Sequence, residues 1–148
     1  MSSIFTVGFN PKTTDLLSIC FPINFRLNEG LTLNIDGHAH DLNAEYPDDA
    51  GIIQKTFYKQ SNIPVFILAG LGTMGTETAG IVLNEKAIQL GKLYGNDSFC
   101  ILFKTDITRG NKYYEIKGIF PKPQWYRAIW YPTTYFKWWK RKIFPSNV

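Results

Sequence analysis

Cysteine, methionine and histidine are scarce, with two of each in 148 residues. Cys20 and Cys100 show no CxxC spacing and are too few for a disulfide framework. Each follows an apolar residue in a segment that reads as buried, so both are expected to be reduced core residues of a cytoplasmic protein. No run reaches the roughly 18 apolar residues of a membrane-spanning helix. Met1-Ser2-Ser3-Ile4 carries no basic stretch ahead of an apolar one, so no signal peptide is expected. Acidic residues are absent after Glu115. There is no Gly-x-Ser-x-Gly elbow, and no nucleophile and base stand at a recognisable spacing.

A hydrophobic fraction of 45% and a charged fraction of 19% belong to an ordered domain. The length fits one such domain, at roughly 100–200 residues each. It excludes a two-domain dehydrogenase or an eight-stranded (β/α) barrel. The net charge of +4 hides an asymmetry. Residues 1–115 hold all 12 acids and nine of the 16 Lys and Arg, a net −3. Residues 116–148 hold seven basic residues and no acid. We therefore divide the chain into an α/β domain over 1–120 and an aromatic, basic extension over 121–148.

Ile4–Phe9 is β-rich and stops at Asn10-Pro11. Thr13–Ile19 has the pattern of one or two helical turns. Residues 23–35 alternate apolar and polar on either side of Asn28-Glu29-Gly30, the signature of a hairpin. Residues 36–50 are polar and acidic and read as an exposed loop. Gly51–Phe57 reads as a short strand. Ile63–Ala69 is the most apolar run and reads as a strand buried on both faces. A helix is expected over Thr76–Tyr94, with Ala79, Val82, Leu83, Ala87, Leu90 and Leu93 at helical spacing and Gly95-Asn96 as its stop. Phe99–Phe103 and Tyr113–Phe120 read as further strands. Strand, helix and strand over residues 63–104 form a Rossmann-like βαβ unit. The fold expected is α/β, with a mixed, mostly parallel sheet.

Gly70-x-Gly72-x-x-Gly75 lies between the apolar strand and the helix. In such a motif the first glycine permits the tight turn, the second lets a ligand phosphate reach the backbone, and the third lets the helix pack closely on the sheet. The helix N-terminus then offers unpaired N–H groups to an anion. Thr73 and Thr76 add hydroxyls, and Glu77 is an acid at the junction. If the first strand lies beside the apolar strand, Gly8 and Asn10 join the same crevice. The candidate ligand-binding set is thus Gly8, Asn10, Gly70, Gly72, Thr73, Gly75, Thr76 and Glu77. The plainer alternative is that the glycines serve only a tight strand-to-helix turn.

The string Gly70-Leu71-Gly72-Thr73-Met74-Gly75 resembles the nucleotide-binding turn of the β-hydroxyacid dehydrogenases over about Leu68–Ala79. That resemblance implies a nucleotide or dinucleotide ligand. In that family the motif opens the chain, whereas here 73 residues follow it. The ribose-binding acid expected roughly 20 residues on is displaced to Asp106. More broadly, Gly8 and Asn10, then Asp49-Ala50-Gly51-Ile52, then Ala69–Thr76, resemble the order of parts in small Rossmann-like bacterial domains of unknown function, over about residues 4–106. No activity comes with that likeness.

Asp36-Gly37-His38-Ala39-His40 resembles the Asp-x-His-x-His stretch of the amidohydrolases. The chain is too short for their barrel, and a zinc site needs three or four ligands. A solvated loop, without metal, is expected.

All four tryptophans, Trp125, Trp130, Trp138 and Trp139, lie in the extension, interleaved with Arg127, Lys137, Lys140, Arg141 and Lys142. This composition suits single-stranded nucleic acid, an anionic membrane surface or a partner protein. It equally suits aromatics folded back to cover the sheet. Homo-oligomer formation is left open. The leading functional expectation is binding of a nucleotide or other phosphorylated small molecule at the glycine loop, as a non-catalytic sensor or auxiliary domain. The alternatives are an interaction module acting through the tail, and a small nucleotide-processing enzyme using Glu77.

Overall fold

The structure is a computed structural model that describes residues 3–8, 23–26, 29–35, 37–58 and 61–122. Asn10, Cys20, the helical turns expected over 13–19 and the tryptophan-rich extension from residue 123 lie outside the described residues.

Among the described residues, eight strands and one helix follow in the order β1 (Ile4–Val7), β2 (Ile23–Arg26), β3 (Gly30–Ile35), β4 (His38–Asn43), β5 (Asp48–Phe57), β6 (Pro64–Gly70), α1 (Thr73–Tyr94), β7 (Phe99–Asp106) and β8 (Tyr114–Phe120). Strands β2-β3-β4 form an antiparallel three-stranded sheet. The larger sheet has the order β1-β6-β5-β7-β8.

The sheet corrects the expected fold. Among the described residues only β1 and β6 pair in parallel, Ile4 opposite Val65 through Val7 opposite Leu68. Every other pair is antiparallel. Strands make up 51% and helix 22% of the described residues, so the described part is mostly β with a mixed sheet, not a mostly parallel Rossmann-like one. The reason lies in β5. It forms an antiparallel ladder with β6 on one side and with β7 on the other. Strands β6 and β7 run in the same direction across α1, but β5 separates them. Sequence shows β5 poorly because Gln54, Lys55 and Thr56 make it look like a surface segment, yet all three are buried.

Two apolar cores sandwich this sheet. Alternate strand residues point to opposite faces. On one face Ile53, Leu68, Phe99, Ile101 and Phe103 meet Ala79, Val82, Leu90 and Leu93 of α1. On the other, Ala50, Ile52, Val65, Ile67, Ala69, Cys100 and Leu102 meet Leu31, Leu33 and Leu42 of the small sheet. The resulting layers are helix, five-stranded sheet and three-stranded sheet. Each fully buried Ile, Leu or Phe contributes roughly 1.5–3 kcal/mol.

The stretch 36–50, expected as a loop, contains β4 and the start of β5. Strand β4 escapes sequence patterning because it pairs on one side only and sends only Leu42 fully into the core. Its polar residues face outward and mimic a loop. The hairpin over 23–35 forms as expected, with Arg26 opposite Gly30.

Helix α1 begins three residues earlier than its apolar periodicity indicates. It ends at Gly95, whose φ of +51° suits glycine and whose N–H donates to the Gly91 carbonyl at 2.9 Å. Gly80 and Gly91 sit within the helix, and a Cβ on either meets nothing within 4 Å. Gly80→Ala and Gly91→Ala should therefore each raise stability by about 0.5–1 kcal/mol, read from urea unfolding. A loss at both positions would mean that an unseen neighbour occupies that space.

Candidate functional site

The parallel pairing of β1 with β6 brings Gly8 beside the glycine loop, as the sequence reading requires. The Gly8 N–H donates to the Leu68 carbonyl at 2.8 Å, and Gly8 turns away with φ +86°. Gly70, Gly72, Thr73, Gly75, Thr76 and Glu77 follow on the strand-to-helix turn.

The first and third glycines do what the motif predicts. A Cβ on Gly70 would stand 2.4 Å from the Thr76 nitrogen and 2.5 Å from the Gly75 carbonyl carbon. A Cβ on Gly75 would stand 2.6 Å from the Ala50 carbonyl oxygen. The turn is tight at Gly70, and the helix rests on the β5 backbone at Gly75.

The second glycine makes room for a different anion from the one expected. A Cβ on Gly72 would stand 2.8 Å from Oδ2 of Asp49. Asp49 is buried, with 5% of its surface exposed. Its Oδ1 accepts from Gly72 N–H at 3.1 Å and from Ala50 N–H at 2.8 Å. Its Oδ2 accepts from Gly75 N–H at 2.7 Å. An α-helix leaves its first N–H groups unpaired and its N-terminus partly positive. Here a carboxylate from the neighbouring strand satisfies two of the amides at this turn, those of Gly72 and Gly75, in the position where the motif reading puts a phosphate. Asp49 stands two residues before Gly51 in the Asp-Ala-Gly-Ile string, but sequence could not assign it this role without the β5–β6 register, Gly51 opposite Gly70.

Thr76 is also used internally. Its hydroxyl accepts from Gly70 N–H at 3.2 Å and donates to the Gly72 carbonyl at 3.1 Å. Glu77 turns toward the β7–β8 connection, where Asn111 Nδ2 donates to its Oε2 at 3.3 Å. Thr73 is exposed. Among the described residues, the Thr73 and Met74 amides have no acceptor.

Beside Gly72 a groove of about 160 Å³ opens between Ala44, Tyr46, Asp48, Asp49, Leu71 and Ile107. Tyr46 is 81% exposed along it. Asp48 pairs with Lys104 at 2.5 Å. Asp106, the displaced candidate for a ribose, lies at the same end of the sheet. Its Oδ1 accepts from the Thr108 hydroxyl at 2.6 Å and the Thr108 N–H at 2.9 Å. Those bonds, the Thr108 hydroxyl first, with Arg109 alongside, hold its carboxyl below the usual range. Asp106 closes its own turn.

His38 and His40 lie on β4, not in a loop. The His40 ring tilts against Phe120, centroids 4.6 Å apart. Among the described residues no cluster of three or more His, Cys, Asp or Glu is placed to hold a metal ion. Thermal melts should show His38→Ala neutral within about 0.5 kcal/mol and His40→Ala costing about 0.5–1.5 kcal/mol through the lost ring contact. Equal losses at both positions would contradict this placement.

Cys100 is fully buried between the two sheets, and burial pushes its thiol well above the ordinary range. A thiol held protonated in this way is a poor nucleophile. Among the described residues no helix is long and apolar enough to cross a membrane. No family model, curated protein or solved structure matches the chain.

Proposed function

We propose that the protein is a non-catalytic binding domain for a nucleotide or another phosphorylated small molecule, acting as a sensor or auxiliary domain. In this reading the phosphate sits on the Thr73 and Met74 amides and the Thr73 hydroxyl. The organic part of the ligand enters the adjoining groove, against Tyr46, Leu71 and Ile107. The observation that carries the reading is the pair of unpaired amides at the helix N-terminus, next to a groove with an exposed aromatic ring.

Asp49 sets the charge the site accepts. A phosphate on the Thr73 amide would stand one residue along from Gly72, whose N–H bonds to that carboxylate, so a separation of roughly 5 Å sets the scale. Two unit charges at this distance repel by about 0.8 kcal/mol in water and more near a protein surface. A second negative charge on the same phosphate should then weaken binding about four-fold, and charges on more distant phosphates by less. A phosphodiester, with one charge, is favoured over a terminal phosphate with two.

Titration calorimetry with a cyclic nucleotide, a dinucleotide, a nucleoside monophosphate and a nucleoside triphosphate tests this. The expected order is diesters first and triphosphate last. Affinity that rises with ligand charge, or no binding of any of the four at 10 mM, would overturn the proposal.

A further inference from the structure

The opposite end of α1 carries a second, unrelated groove. Its volume is about 190 Å³, and its walls include Phe5, Phe66, Leu83, Ala87 and Phe99. Phe5 stacks on Phe66 with centroids 5.1 Å apart and planes 13° from parallel. Phe5 remains 58% exposed, so the groove is open along the β1 side.

Among the described residues a single cationic side chain lines this apolar space, that of Lys55 on β5. Lys55 is 8% exposed. Its Nζ donates to the Gly95 carbonyl at the helix C-terminus and lies 5.4 Å from the centre of the Phe57 ring. An ammonium has three donors, so among the described residues the bond to Gly95 leaves two. Burial pushes the amine below the usual lysine range, while the Asp97 carboxylate acts in the other direction.

We propose that this groove binds a small apolar carboxylate, with the hydrocarbon or aromatic part between Phe5, Phe66, Leu83 and Ala87 and the carboxylate on Lys55 Nζ. A buried ammonium with spare donors gains most from a charged, hydrogen-bonding partner. Apolar walls disfavour a heavily hydrated dianion such as a free phosphate, and Lys55 repels an amine. The volume sets the size of the tail. A cavity of about 150 Å³ lined by Leu, Ile and Phe takes benzene, so this groove suits roughly six to ten carbons.

The test uses the full chain with three probes of equal tail length, octanoate, 1-octanol and octylamine, followed by amide chemical shifts. Octanoate should bind saturably, with shifts centred on Phe5, Lys55, Phe66, Ala87 and Gly95. Octanol should bind at least ten-fold more weakly, and octylamine more weakly still. Lys55→Met should lose the preference for octanoate over octanol. The comparison of the three probes on the unaltered chain decides the matter even if that variant does not fold. Octanol binding as tightly as octanoate, shifts centred elsewhere, or no saturation by octanoate below 10 mM would each overturn the proposal.

Discussion

Asp49→Ala should destabilise the protein by about 3 kcal/mol, a fall of roughly 10 °C in Tm for a domain of this size. The carboxylate accepts three amide hydrogen bonds, two of them from the glycine loop. Hydrogen bonds to a charged group contribute about 1.5–3 kcal/mol each, though not additively. Removal also leaves Gly72 and Gly75 N–H groups without an acceptor beneath the helix, and loss of a cap alone costs about 1 kcal/mol. Asp49→Asn should fall between, because its one amide oxygen can accept while its NH₂ faces a second donor. Urea unfolding of the three proteins provides the measurement. A change below about 0.5 kcal/mol in Asp49→Ala would place the carboxylate outside the stabilising network.

Gly75→Ala and Gly70→Ala should be at least as damaging, with losses of about 3 kcal/mol or more. At both positions the added Cβ meets backbone, not a movable side-chain end. At Gly75 it would lie 2.6 Å from the Ala50 carbonyl oxygen and 3.0 Å from Asp49 Oδ1. At Gly70 it would lie 2.4–2.7 Å from the Gly75 and Thr76 backbone. The helix start would have to lift off β5, which also breaks the Asp49 bonds. Gly72 differs, since its nearest neighbour is the Asp49 carboxylate itself. Gly72→Val should expel that side chain and show a loss close to that of Asp49→Ala. In the double variant the two effects should not add, because both remove the same contact. Simple additivity would show that Gly72 and Asp49 act separately.

Much of the element order was legible from local pattern. The apolar run ahead of the glycine loop, the helical spacing from Ala79 to Leu93 and the stop at Gly95 rest on periodicity and backbone chemistry that act within a few residues. Topology was not legible in the same way. The order of strands depends on β5, whose Gln54, Lys55 and Thr56 are buried without being apolar. A strand, helix and strand in sequence do not reveal whether a third strand has entered between the two. The small sheet was half visible, because β4 offers little apolar surface to mark it.

The glycine loop shows the same division. The tight turn at Gly70 and the close packing at Gly75 follow from the motif itself. Its unpaired N–H groups were equally predictable. Their acceptor was not, because Asp49 reaches them from 23 residues before Gly72 through a strand register that only the folded sheet defines. A carboxylate and a phosphate satisfy the same donors, so a motif read from spacing alone cannot distinguish them.

Hydrogen exchange at four backbone amides tests most directly whether the Asp49 carboxylate fills the glycine loop. Gly72 and Gly75 N–H groups bond to that carboxylate, whereas those of Thr73 and Met74 have no acceptor among the described residues. Gly75, buried and bonded at 2.7 Å, should exchange slowly, and Thr73 and Met74 quickly. Asp49→Ala should abolish the difference. A Gly75 amide that exchanges as fast as that of Thr73 in the unaltered protein would contradict the account.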